Sequence, residues 1–104
     1  MRFVLILLVF LFILPLTSCD KIATSLRLIK ADTAYNQAQF DKSIEIYKEV
    51  LENHPDDAQI HWKLGISYYS KGDLESVKKQ VVRLRKLGAE ELAQDLEHLL
   101  ETPE

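Results

Sequence analysis

The chain has 104 residues, 47% of them apolar and 28% charged, with a formal net charge of −3 and one cysteine, Cys19. This length holds at most one ordinary domain, and a lone cysteine excludes an intramolecular disulfide. The acidic balance is not that of a nucleic-acid binder, so no nucleic-acid partner is expected.

Composition divides the chain into two pieces. A short basic start, Met1-Arg2, precedes an unbroken apolar run over residues 3 to 14, with Pro15 directly behind it. The run is shorter than the roughly 20 residues a helix needs to cross the hydrocarbon core, and basic start plus short apolar run is the pattern of a secretory signal. An uncleaved transmembrane anchor is the competing reading. Leu16-Thr17-Ser18-Cys19 follows, and these four positions resemble the lipobox of bacterial lipoproteins. The resemblance implies that residues 1–18 are a signal peptide and that Cys19 is the lipid attachment site, carrying acyl chains such as palmitate. Residues 19–22 are then the lipidated tether, and residues 23–104 the folded domain. A buried structural cysteine is the alternative for Cys19. Asp20 resembles the inner-membrane retention signal of enteric lipoproteins, which places the expected location in the bacterial cell envelope, at the inner membrane facing the periplasm. Without residues 1–18, which carry one cation and no acid, the formal charge is −4.

In the second piece two segments superimpose at a 34-residue offset, pairing Tyr35 with Tyr69, Phe40 with Leu74 and Val50 with Leu84. Within each unit the apolar spacing is helical: Ile44, Tyr47 and Leu51 share one face, as do Val77, Val81 and Leu84. Pro55 ends one helix, with Asp56-Asp57 suited to the start of the next. Lys71-Gly72-Asp73 supplies a glycine for a left-handed turn and an Asp N-cap, and Gly88 closes the following helix. Helices are expected near 23–37, 41–53, 57–71, 74–87 and 89–101.

The period and the residues at its fixed positions resemble the tetratricopeptide (TPR) repeat, two antiparallel helices per unit. The second unit carries Leu64-Gly65 and Tyr68 in the pattern's slots, with His61 in the aromatic slot and Trp62 one residue on. The first carries Ala31 and Ala34, then Ala38, Phe40, Ser43, Tyr47 and Pro55. Arg27, Lys30 and Val77 depart from the pattern, as terminal repeats do when one face meets solvent. The resemblance implies an all-α fold, a TPR-like right-handed stack of two helical hairpins (repeats about 24–57 and 58–88). A C-terminal capping helix at 89–101 follows, amphipathic through Leu92, Ala93, Leu96, Leu99 and Leu100.

No catalytic constellation is present. His54 adjoins a turn proline, His61 fills a repeat slot and His98 lies on the polar side of the last helix, none at metal-ligand spacing. The adjacent pairs Asp56-Asp57 and Glu90-Glu91 stand at helix starts, where the helix dipole accounts for them. The chain is therefore read as not an enzyme, with no cofactor and no metal. Lys78, Lys79, Arg83, Arg85 and Lys86 form a basic block followed by the acidic last helix. Screening between neighbouring helices explains both, and contact of the basic block with anionic lipid is the sharper alternative.

In TPR stacks the first helix of each unit lines a concave groove, which implies groove positions Leu28, Asp32, Tyr35 and Asn36 in one unit and Gln59, Trp62, Ile66, Tyr69 and Ser70 in the next. The binding residues expected are Tyr35, Asn36, Trp62, Ile66 and Tyr69, since Trp and Tyr are typical interface anchors. Packing of these aromatics against the capping helix is the competing role. The functional expectation is a membrane-anchored interaction adaptor holding a protein or peptide partner. The alternative is a small structural subunit of an envelope assembly. Oligomeric state is left open by the residues.

Overall fold

The computed structural model describes residues 2–102, and within them the side chains outside 9–19, so Cys19 lies outside the described side chains. The described residues form five α-helices: α1 (Arg2–Asn36), α2 (Phe40–Asn53), α3 (Ala58–Lys71), α4 (Leu74–Lys86) and α5 (Glu90–Glu101). Consecutive helices pack on one another, and α5 returns to touch α3 as well as α4. The fold is all-α, a TPR-like stack of two helical hairpins, α1 with α2 and α3 with α4, closed by α5. Four of the expected helices agree with the structure to within a residue at each end. The first differs: the sequence reading begins it at 23, whereas α1 starts at Arg2. Glycine-free sequence supports helix on both sides of residue 19, and the backbone stays helical through Pro15 although that residue donates no N–H to the ladder. Among the described residues, no helix is long and apolar enough to cross a membrane.

Local chemistry sets the breaks. The Asp57 carboxylate accepts from the Ile60 N–H at 3.3 Å, and that of Asp73 from the Ser76 N–H at 3.2 Å and the Ser76 hydroxyl at 2.7 Å. Each satisfies N–H groups that a helix start leaves without intrahelical partners. Three helices end in the same left-handed turn. Gly72 has φ 90° and Gly88 φ 78°, and one residue later Asp73 and Ala89 donate back to Tyr68 O and Leu84 O, both at 2.9 Å. At the end of α1 the position corresponding to Gly72 by the 34-residue period is Ala38, with φ 59°, and Gln39 donates to Ala34 O at 2.8 Å. The repeat thus imposes the turn even where its sequence lacks glycine, and a methyl group is held in a region that costs an L-residue about 1–2 kcal/mol.

The core is two clusters joined through α3. Ala31, Ile44, Ile46, Tyr47, Val50, Ile60 and Leu64 fill the first, and Val77, Val81, Leu84, Ala93 and Leu96 the second. Tyr68 is half-buried against both. The second cluster is closed by a notch: a Cβ on Gly65 would stand 2.5 Å from Leu96 Cδ1, so the missing side chain is what lets α5 approach α3. Leu96 is fully buried there, a placement that contributes on the order of 1.5–3 kcal/mol.

Two substitutions test this account. Gly65→Ala should lower stability by about 1–3 kcal/mol, since the new methyl displaces Leu96, and its effect should shrink in a Leu96→Ala background. Ala38→Gly should raise stability by up to about 1 kcal/mol by relieving the left-handed residue. Thermal melts followed by circular dichroism read both.

Candidate functional site

On the concave side, α1, α2 and α3 border an open cavity of about 280 Å³, lined by Asp32, Tyr35, Asn36, Tyr47, Trp62, Lys63 and Ile66. The helical step of the two first helices brings these residues together, positions 32, 35 and 36 facing 62, 63 and 66.

A polar knot crosses the cavity. Lys63 Nζ donates to both oxygens of Asp32, at 3.0 and 2.8 Å, and the buried Tyr47 hydroxyl donates to Asp32 Oδ1 from the second helix of the first hairpin. Three helices are thereby tied at one carboxylate whose charge is matched by one ammonium. Lys63 and Asp32 keep 33% and 42% side-chain exposure, so the ion pair is screened and its part in stability is small beside its part in shaping the cavity. Burial first, and then the hydrogen bond to Asp32, hold the Tyr47 hydroxyl well above its ordinary value of 10.0.

The aromatic walls are fixed by neighbours. Tyr35 shares a hydrogen bond with Ser70 Oγ at 3.0 Å, and its ring leans on Phe40 with centroids 5.4 Å apart. The Trp62 indole N–H donates to Asp95 Oδ2 of α5 at 2.6 Å, while Trp62 and Ile66 also pack against the second core cluster. Trp62 therefore serves groove and capping helix together. Asn36 is exposed at the cavity's edge.

Four of the nine expected groove positions do not line the cavity. Tyr69 does not line the cavity; it packs half-buried on the second cluster, because α5 folds back along α3 and covers that end of the stripe. Leu28 packs against the first cluster, on the face of α1 turned to α2. Gln59 is exposed and away from the cavity, and Ser70 enters only as the partner of Tyr35. Lys63 and Tyr47 were not expected in the groove. Charge complementarity between Asp32 and Lys63 was the only sequence signal for the first, and Tyr47 reads as pure core until its hydroxyl is seen to reach past the apolar layer.

The histidines have local partners. His61 is buried, with Nε2 2.7 Å from Pro55 O and Nδ1 2.8 Å from Gln80 Oε1, so it locks the α2–α3 turn to α4. His54 Nε2 lies 3.5 Å from Thr24 Oγ1, and His98 is exposed on α5. Among the described residues no group of three or more His, Cys, Asp or Glu is placed to hold a metal ion.

The sequence model of a family described as TPR repeat matches residues 31–72, from the last six residues of α1 through the whole of α2 and α3. The chain thus contains a TPR repeat. No curated protein matches the chain. The matched stretch contains every residue that lines the cavity.

The knot has a pH signature. Because folding raises the Tyr47 value, its stabilisation is complete below 10.0 and is lost as pH rises beyond it, where the unfolded chain ionises first. Tyr47→Phe should cost about 1–2 kcal/mol at neutral pH and flatten part of the alkaline loss, as read in thermal melts from about pH 8 to 11.

Proposed function

We propose that the chain is a lipid-anchored adaptor of the bacterial cell envelope that holds a segment of a protein partner in the groove between α1 and α3. TPR repeats typically bind protein partners, are generally scaffolds without catalytic activity, and do so along this surface. The observation that carries the reading is the cavity itself. Trp62, Tyr35 and Ile66 offer apolar area, Asn36 offers an amide at the rim, and the Asp32–Lys63 pair leaves the floor without net charge. Such a floor favours an apolar or aromatic side chain over an acidic or basic one, since neither sign of charge finds an unmatched partner there. The tether is argued from the sequence: a basic start, a short apolar run and the lipobox-like Leu16-Thr17-Ser18-Cys19. Inner-membrane placement follows from Asp20 by the enteric rule.

Two measurements test the reading. Mass spectrometry of the membrane-extracted protein should find residues 1–18 absent and acyl mass on Cys19; an intact Met1 terminus in the mature pool overturns the tether. A photo-crosslinking residue at Asn36 should capture a discrete partner in intact cells, while one at Glu49, on the exposed side of α2, should not. Equal capture at both positions overturns the groove and favours a structural subunit packed on all sides.

A further inference from the structure

The outer side of α1 carries an apolar stripe that nothing in the fold covers. Ile22, Leu26 and Ile29 are 59%, 61% and 61% exposed. They follow an i, i+4, i+7 step, so they share one face, and that face is opposite the one through which Leu28, Ala31 and Ala34 pack inward. Other exposed apolar residues of the domain, Leu74 and Val82, are single and lie on α4.

Three observations indicate what covers the stripe. Its size is wrong for self-association: three side chains offer a few hundred Å², well below the roughly 800 Å² per partner of a stable interface. Its flanks carry cations: at 100° per residue, Lys30 falls roughly a fifth of a turn to one side and Lys21 roughly a third of a turn to the other, beyond Asp32, whose carboxylate is matched by Lys63, and such long cationic side chains reach headgroups while their stems cover apolar surface. And it adjoins the proposed tether, which brings this end of α1 to the membrane surface. Residue 19 stands three positions before Ile22, in the same 3-4-3 step as 22, 26 and 29.

We propose that the face of α1 formed by Ile22, Leu26 and Ile29 lies in the interfacial layer of a lipid bilayer, as a second membrane contact beside the tether. The proposal rests on the tether to bring the helix to the surface. An amphipathic face of this kind buries by roughly 5–10 Å, enough for three aliphatic side chains with lysines at headgroup level. Asp32 lies roughly a quarter-turn from the stripe, so the groove opens along the membrane surface instead of into it. The contact converts a flexible tether into a fixed orientation of the groove.

The full chain, reconstituted in vesicles of phosphatidylethanolamine and phosphatidylglycerol, tests this with one tryptophan at a time. In a Trp62→Phe background, Leu26→Trp emission should fall at least about twofold with lipids brominated in the upper acyl chain, whereas Glu45→Trp on α2 should be unaffected. Equal, weak quenching at both positions overturns the proposal. Shielding at position 26 that appears without vesicles and grows with protein concentration overturns it in favour of a second copy. The mass of Cys19 is read on the same sample. Acyl mass with an unquenched position 26 removes the stripe and leaves the tether; quenching without acyl mass removes the tether and leaves the stripe.

Discussion

A stack of two hairpins leaves its last hairpin with one apolar face uncovered, and the contact that covers it is Leu96 in the gap at Gly65. Repeat architectures bury their core only against neighbours, so about three units are usually needed for stability. Here a single amphipathic helix substitutes for the third unit. It does so because α3 carries no side chain where α5 crosses it. Ala93 and Leu96 reach full burial as a result, and Val77 and Leu84 of α4 are sealed from the other side. The concave surface depends on this seat at Trp62, since α5 also supplies the Asp95 carboxylate that orients its indole.

Electrostatics follows the same arrangement. The basic block of α4 is answered by neighbouring acids: Arg85 spans to Glu90 at 3.3 Å and to Glu97 at 2.7 Å on α5, and Arg83 reaches Asp56 at 3.1 Å. Arg85 holds the Glu97 carboxyl below the usual range, and Glu97 in turn raises the Arg85 guanidinium. These are exposed pairs, of small energetic weight individually, and their value is in register: they fix how α5 lies along α4 while the apolar seat supplies the stability. Mutual screening between neighbouring helices thus accounts for Arg83 and Arg85.

The groove inherits its shape from a different kind of tie. Asp32 accepts from Lys63 and from Tyr47, and the three groups come from three helices of two repeats. A buried hydroxyl and a half-exposed ammonium on one carboxylate remove net charge from a surface that otherwise shows aromatic rings and an amide. The outer side of α1 presents aliphatic side chains instead, with lysines at its margins. One helix therefore carries three distinct faces: inward to the core, sideways to the groove and outward to the surroundings.

The boundaries of α2 to α5, the two hairpins and most of the core could be read from the sequence, because they depend on local chemistry, whereas the start of α1 could not. Pro55, Asp57, Gly72, Asp73 and Gly88 act within a few residues of themselves, and helical periodicity marks the buried positions directly. The TPR resemblance also implied one shared surface for Asp32, Tyr35, Asn36, Trp62 and Ile66, and these five line the cavity. What the sequence did not contain is how neighbouring helices share that surface. Tyr69 occupies the same repeat position as Tyr35, yet Tyr35 borders the cavity and Tyr69 packs beneath α5, because only the second hairpin has a further helix folded against it. Lys63 and Tyr47 joined the groove through contacts spanning 31 and 15 residues, and Ala38 took a glycine's conformation because the packed repeat dictates the turn. Identity and spacing determined the elements and their inward faces; the distances between elements, set only when the two clusters packed, decided which outward residues became a site.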